Sequence, residues 1–174
     1  METTAKKCLV AIILVFSSVL VFAQCEILNR VSSDGSMNYY IEPFNLYQTN
    51  AKSLKACIVT DRESYFLELQ PVPFPEKSKE NKLKDKLQLK LENGEALIMK
   101  HYDTRYVRND SILKILYLIG KEDIDKLLHT EIAQFSINMG GTEGVRSYVL
   151  KLHKGELKQQ LDCLMKDEEN QKKK

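Results

Sequence analysis

Residues 52–70 contain two apolar runs whose alternation allows a single pairing register. On the first arm Leu54, Ala56 and Ile58 fall on one face, and on the second Tyr65, Leu67 and Leu69 do. Joining even positions to odd ones across a common face requires a loop with an even number of residues. A two-residue loop at Arg62-Glu63 pairs Thr60 with Tyr65, Ile58 with Leu67 and Ala56 with Leu69. A slip by one residue would turn every side chain to the wrong side, so register and apolar faces support one another. The back face carries Cys57, Val59 and Phe66, which predicts a hairpin covered on both sides.

A second hairpin follows from Leu87, Leu89 and Leu91 alternating with polar residues up to Asn93-Gly94. A tight turn there pairs Leu91 with Ala96, Leu89 with Ile98 and Leu87 with Lys100 on a return arm over 95–107. Upstream, Cys25 to Val31 and Met37 to Ile41 read as short extended pieces around a Ser32-Ser33-Asp34-Gly35 turn, with Pro43 closing the second. Pro71-Val72-Pro73-Phe74-Pro75 is expected to stop the ladder. The lysine-rich stretch Glu76 to Lys86 reads as a solvated excursion between hairpins.

Ser111 to Ile119 is apolar on both faces apart from Lys114, the pattern of a central strand. Gly120 opens a helix whose Glu122 and Asp123 suit its positive end and whose Ile124, Leu127 and Leu128 share a face. Ile132 to Met139 returns to strand, with Ile132, Gln134 and Ser136 on one face and Ala133, Phe135 and Ile137 on the other. Val145 to Leu152 fits strand or helix. Leu157, Leu161, Leu164 and Met165 form a helical stripe over Glu156 to Lys166. The fold class expected is α+β: a mostly antiparallel β-sheet with two helices packed on one face, after an N-terminal signal peptide. A parallel pairing within the late strand–helix–strand unit is the variant left open.

The leader consists of Lys6 and Lys7, an apolar run from Leu9 to Phe22, and Val21-Phe22-Ala23 ahead of Gln24. That run is shorter than the roughly 20 residues a bilayer span needs and has the layout of a secretory signal. The division is therefore 1–23 signal peptide, 24–166 one α+β domain and 167–174 a charged flexible tail. An uncleaved anchor and a lipid-bearing Cys25 are the alternatives; Gln24 is large for the residue before a lipidated cysteine. Export places the mature chain in the periplasm or outside the cell, with no stable membrane span once the signal is cleaved. Cys25, Cys57 and Cys163 then meet an oxidising compartment, where three thiols cannot all pair within one chain. The expected bridge, if one forms, is Cys25 with Cys163, tying a chain end to the last helix.

With 26 basic against 24 acidic residues, the sequence lacks the charge excess of a nucleic-acid binder. Phosphate-loop, nucleophile-elbow, H-E-x-x-H and calcium-loop motifs are missing, so no cofactor and no metal are implied. Gly140, Gly141 and Gly144 read as a turn. His101, His129 and His153 stand far apart in sequence, and His129 suits a helix C-terminus. His101, Asp103 and Arg105 would share one face of a regular strand, as a general base with its orienting carboxylate or as a solvated Asp–Arg pair. Tyr39 and Tyr40, with Tyr102 and Tyr106 later, are candidates for an aromatic binding platform or for a packed sheet rim. Asn109-Asp110-Ser111 matches a glycosylation sequon.

The leader ending Phe22-Ala23-Gln24, and the run from Ile115-Leu116-Tyr117 through Lys121-Glu122-Asp123-Ile124 and Leu127 to Ile132, resemble small uncharacterised exported proteins of Bacteroidetes-type bacteria. The resemblance implies a strand entering a short acidic-capped helix and a closing helix that bears a cysteine, here Cys163. It implies no established activity, so no site residue is carried over. The functional expectation is an exported, non-enzymatic binding or accessory module of the cell envelope, with an envelope protein or a small ligand as partner and no nucleic acid. An open sheet edge would suit β-augmentation by such a partner. A small hydrolase using the His101/Asp103 face is the alternative, and a structural envelope component a third reading. In a host with a general secretory pathway the exported protein is expected to begin at Gln24; its intact mass checks this, and a full-length mass would contradict it.

Overall fold

A computed structural model describes residues 25–32, 35–77, 83, 85–140 and 143–173. The leader over 1–23, Ser33 and Asp34 of the first turn, and most of the excursion after Lys77 lie outside the described residues. Among the described residues ten strands and two helices follow in order: β1 (Leu28–Val31), β2 (Met37–Tyr40), β3 (Phe44–Gln48), β4 (Ser53–Thr60), β5 (Tyr65–Val72), β6 (Leu87–Leu91), β7 (Ala96–Val107), β8 (Ile112–Leu118), α1 (Lys121–His129), β9 (Ile132–Asn138), β10 (Val145–Val149) and α2 (Glu156–Lys172). The strands form one sheet in the order β1-β2-β4-β5-β8-β7-β6-β9-β10, with β3 also paired to β4. Every pairing is antiparallel. The chain is an α+β protein with both helices on one face of a mostly antiparallel sheet.

The β4–β5 hairpin takes the register read from its apolar faces: Thr60 lies opposite Tyr65, Ile58 opposite Leu67 and Ala56 opposite Leu69. Its turn is tied by Asp61, whose carboxylate accepts from the backbone of Glu63 and Ser64 at 2.9 and 2.7 Å. Arg62 takes a left-handed φ of 74° in it, as the first central residue of a two-residue hairpin loop requires.

The β6–β7 hairpin is shifted by one residue from the register its sequence suggests. Leu89 lies opposite Leu97 and Leu87 opposite Met99. The loop spans three residues, because Leu91 N–H bonds the Glu95 carbonyl (2.8 Å) and Gly94, at φ 87°, supplies the left-handed position. One residue of slip exchanges the faces: Leu97 and Met99 are buried, while Ile98 is 57% exposed.

Other boundaries move for similarly local reasons. Pro71 does not end the ladder, since β5 runs to Val72 with Pro71 opposite Leu54. The alternation set by the turn makes that a pair without mutual hydrogen bonds, so the proline nitrogen faces the side where β8 has already stopped, at Leu69. In β9 a bulge beside Lys90 and Leu91 brings Ile132 onto the same buried side as Phe135 and Ile137. Val145–Val149 is strand, paired to β9. Helix α2 continues to Lys172, past the Lys166 where its apolar stripe ends, so most of the expected tail is helical. Leu83, in the stretch read as solvated, is buried, and its carbonyl accepts from the Thr104 hydroxyl at 2.9 Å.

Strand β7 joins two groups of strands: residues 96–99 pair with β6 and residues 100–107 with β8. The sheet curls until its far edges touch, with the Tyr47 and Tyr148 rings 5.4 Å apart and Lys52 Nζ donating to the Ser147 carbonyl at 2.7 Å. The main core fills the inside of this curl, with Leu127 of α1 and Leu157, Leu161 and Leu164 of α2 completing it. Cys25 and Cys163 are joined as a disulfide, their Cα atoms 6.1 Å apart, which ties the start of the described chain to α2. Cys57 is a buried free thiol.

One side of β4 is split between two partners. β3 pairs with it up to Ala56 and β2 only at Val59 and Thr60. The Ile58 N–H faces the gap, and the buried side chain of Gln160 fills it, its Oε1 accepting at 2.9 Å. Gln160→Leu removes the acceptor and leaves a buried donor unmade, so it is expected to destabilise by about 1–3 kcal/mol. Gln160→Glu, which keeps an oxygen there, should cost less at low pH, where its carboxyl is neutral, than at pH 7. Urea unfolding of both variants checks this; an unchanged midpoint in Gln160→Leu would contradict it.

Candidate functional site

The outer face of the sheet, turned away from the helices, carries a second apolar cluster of Cys57, Val59, Phe66 and Leu116. Glu68 stands among them, 0% exposed and directly opposite Cys57 on β4 and Leu116 on β8. A lone carboxylate there would be expensive, and two cations meet it. Arg30 Nη2 reaches Oε2 at 2.5 Å from β1, and Lys114 Nζ reaches Oε1 at 2.8 Å from β8. Gln70 Nε2 adds a bond to Oε1 at 2.9 Å. Burial pushes the Glu68 carboxyl up, but Arg30 and Lys114 together outweigh it and hold the group below its usual value. Burial raises the Cys57 thiol well above its ordinary range, and the charge of Glu68 adds to that. It is a packed neutral thiol.

Over this floor opens a pocket of about 330 Å³, at the small end of ligand sites. The β1–β2 hairpin forms one wall with Arg30, Asn38 and Tyr40; the bend of β7 and β8 forms the other with Tyr102, Arg105 and Arg108. Lining cations number four (Arg30, Arg105, Arg108, Lys114) against two carboxylates, Asp61 and Glu68. Arg30 lies over the Tyr40 ring, its Cζ 4.7 Å from the ring centre, and Tyr102 lies against Phe66 with ring centres 4.6 Å apart. Arg105 lies opposite Lys114 in the ladder and is balanced by Asp103, to which its Nε donates.

At the rim, Arg108, Asn109 and Asp110 take consecutive left-handed φ values of 52°, 56° and 61°. Asparagine and aspartate tolerate that region, whereas for arginine it costs roughly 1–2 kcal/mol. The Asn109 of the sequon stands on this exposed turn.

A bulge in β7 decides where the sequence-predicted residues go. His101 lies opposite Tyr117 but Asp103 opposite Leu116, so Tyr102 is the extra residue. His101 is therefore turned to the inner face, its Nε2 2.7 Å from Thr104 Oγ1 and its ring against Tyr117. Because the Thr104 hydroxyl already donates to Leu83, Nε2 is the donor in that contact. Asp103 and Arg105 are turned to the outer face with Leu116 and Lys114. The proposed general base and its orienting carboxylate are thus separated by the sheet, because one inserted residue inverts the alternation that would align them.

The tyrosines are divided by the same geometry. Tyr102 and Tyr40 line the pocket; Tyr39 packs on the main core, and Tyr106 does too, with its hydroxyl donating to the Pro75 carbonyl at 2.9 Å. His129 caps α1 by donating from Nδ1 to the Asp125 carbonyl at 2.7 Å, and His153 packs on Phe44. Among the described residues no group of acidic, histidine or cysteine side chains is placed to hold a metal ion, and no helix is long and apolar enough to cross a membrane.

Sequence reasoning missed Arg30 and Glu68. The signal available was a single acid in β5 and a single base in β8, each interrupting a run apolar on both faces. The chain matches no protein-family model, no curated protein and no solved structure, so its site is argued from geometry.

Glu68→Gln should lower stability at pH 7 by about 1–3 kcal/mol, short of the cost of a wholly buried broken pair because Arg30 and Lys114 keep some water. The stabilisation from a lowered carboxyl is complete above the unfolded-state value and is lost as pH falls through the folded one. The gap between wild type and Glu68→Gln is therefore expected to close below about pH 4. Thermal melts across pH test this; a constant gap would contradict it.

Proposed function

We propose that the protein is an exported, non-enzymatic binding module of the cell envelope and that the outer-face pocket takes a small ligand. One observation carries the reading: a carboxylate at 0% exposure, fully matched by Arg30, Lys114 and Gln70, floors a pocket walled by Tyr40, Tyr102 and arginines. Such a network is costly to assemble and fixes its cations against the buried carboxylate, which is the preorganisation that lowers the cost of binding. The leader over 1–23 supports export, and the Cys25–Cys163 disulfide suits an oxidising compartment. The hydrolase alternative needs His101 and Asp103 on one face, and the bulge at Tyr102 gives it no support.

Ligand-observed NMR with a fragment library and the secreted protein tests the proposal. Tyr102 is 54% exposed, so Tyr102→Ala is expected to fold normally. Hits should compete with one another and weaken in Tyr102→Ala. A library without hits, or hits indifferent to that change, would overturn the pocket as the binding site.

A further inference from the structure

We infer that the ligand of this pocket is a small organic oxyanion, a carboxylate or phosphate ester joined to a flat apolar group; the inference rests on the pocket being the binding site. Glu68 takes one hydrogen bond from Arg30 and one from Lys114. A guanidinium carries five N–H donors and an ammonium three, and both side chains stay partly exposed, at 28% and 21%. Donors are therefore left for an acceptor entering from the pocket, and one carboxylate does not cancel two cations. Arg105 lies directly across the ladder from Lys114, and Asp103 balances it alone. The surplus charge inside the pocket is positive.

Arg108 is the second observation. It lines the pocket from a left-handed backbone, φ 52°, that disfavours its side chain. Residues held in such regions cluster where a ligand is clamped. Two acceptor oxygens of a carboxylate or phosphate match the planar fork of a guanidinium better than any neutral group does. Phe66, Tyr102 and Leu116 make an apolar patch within a lining that also holds the polar Asn38 and Asp61, and that patch would receive the flat group of the ligand.

The test is titration of the secreted protein with phenylacetate, phenyl phosphate, neutral phenylacetamide and inorganic phosphate, followed by amide and aromatic-ring NMR shifts. At least one aromatic anion is expected to bind roughly tenfold or more tightly than phenylacetamide, to weaken with added salt and to shift the Tyr102 and Phe66 rings. Whichever of phenylacetate and phenyl phosphate binds tighter names the oxyanion. Arg108→Gly accepts the left-handed backbone without strain, so it should keep or raise the melting midpoint while weakening the anion about three- to tenfold and leaving phenylacetamide unchanged. Equal binding of phenylacetamide at the same rings would overturn the oxyanion inference and leave the pocket reading standing. Anion binding that is indifferent to Arg108→Gly, or inorganic phosphate matching phenyl phosphate, would also overturn it. Shifts confined to residues away from Tyr102 and Phe66, or no binding by any probe, would overturn the pocket reading with it.

Discussion

The parity of the two-residue turn between β4 and β5 governs much of what surrounds it. Antiparallel pairing alternates between residues that exchange hydrogen bonds and residues that do not, so the turn settles the direction of every backbone group along both arms. It points the Ile58 N–H away from β5, into the gap between β2 and β3 that Gln160 fills. It points the Pro71 nitrogen to the side where β8 no longer pairs. The side-chain alternation that comes with it sends Leu67 and Leu69 inward and Phe66 and Glu68 outward.

The two faces of the central strands therefore do different work. The inner face meets the helices and the curled β6–β9–β10 group in one continuous core, and most of the hydrophobic stabilisation resides there. The outer face buries less and holds an ion network whose desolvation is repaid by geometry rather than by area. Glu68 is the crossing point: β1, β5 and β8 each supply one of its ion partners or its own backbone, so the network also fastens the β1–β2 hairpin against the sheet. In the ladder that hairpin is held to the sheet at two positions, Tyr39 with Thr60 and Tyr40 with Val59.

Two irregularities border the pocket. β7 carries a bulge at Tyr102, and the turn that follows β7 holds three left-handed residues. A regular β7 would have put His101 and Asp103 on one side with Tyr102 on the other. The bulge instead exposes Tyr102 on the outer face and gives His101 to the interior with Thr104 and Tyr117. One residue of insertion thus dismantles a catalytic reading and builds the aromatic wall of a binding one.

Local pattern alone determined the α+β class, the central place of β8, the first turn of α1 and the β4–β5 register, because each rests on alternation or helical spacing within single segments or neighbouring pairs of them. Where a bulge or a three-residue loop interrupts the period of two, as in β7, β9 and the β6–β7 turn, the pattern misassigns faces, since alternation has no marker for an inserted residue. The site is of the second kind. Glu68 and Lys114 were visible as isolated charges in apolar strands, but Arg30, the other cation on Glu68, lies 38 residues before it on a different strand. Which charges meet, and which tyrosines share a face, is settled only when the strands are laid side by side, because pairing across a sheet depends on registers that no single segment contains.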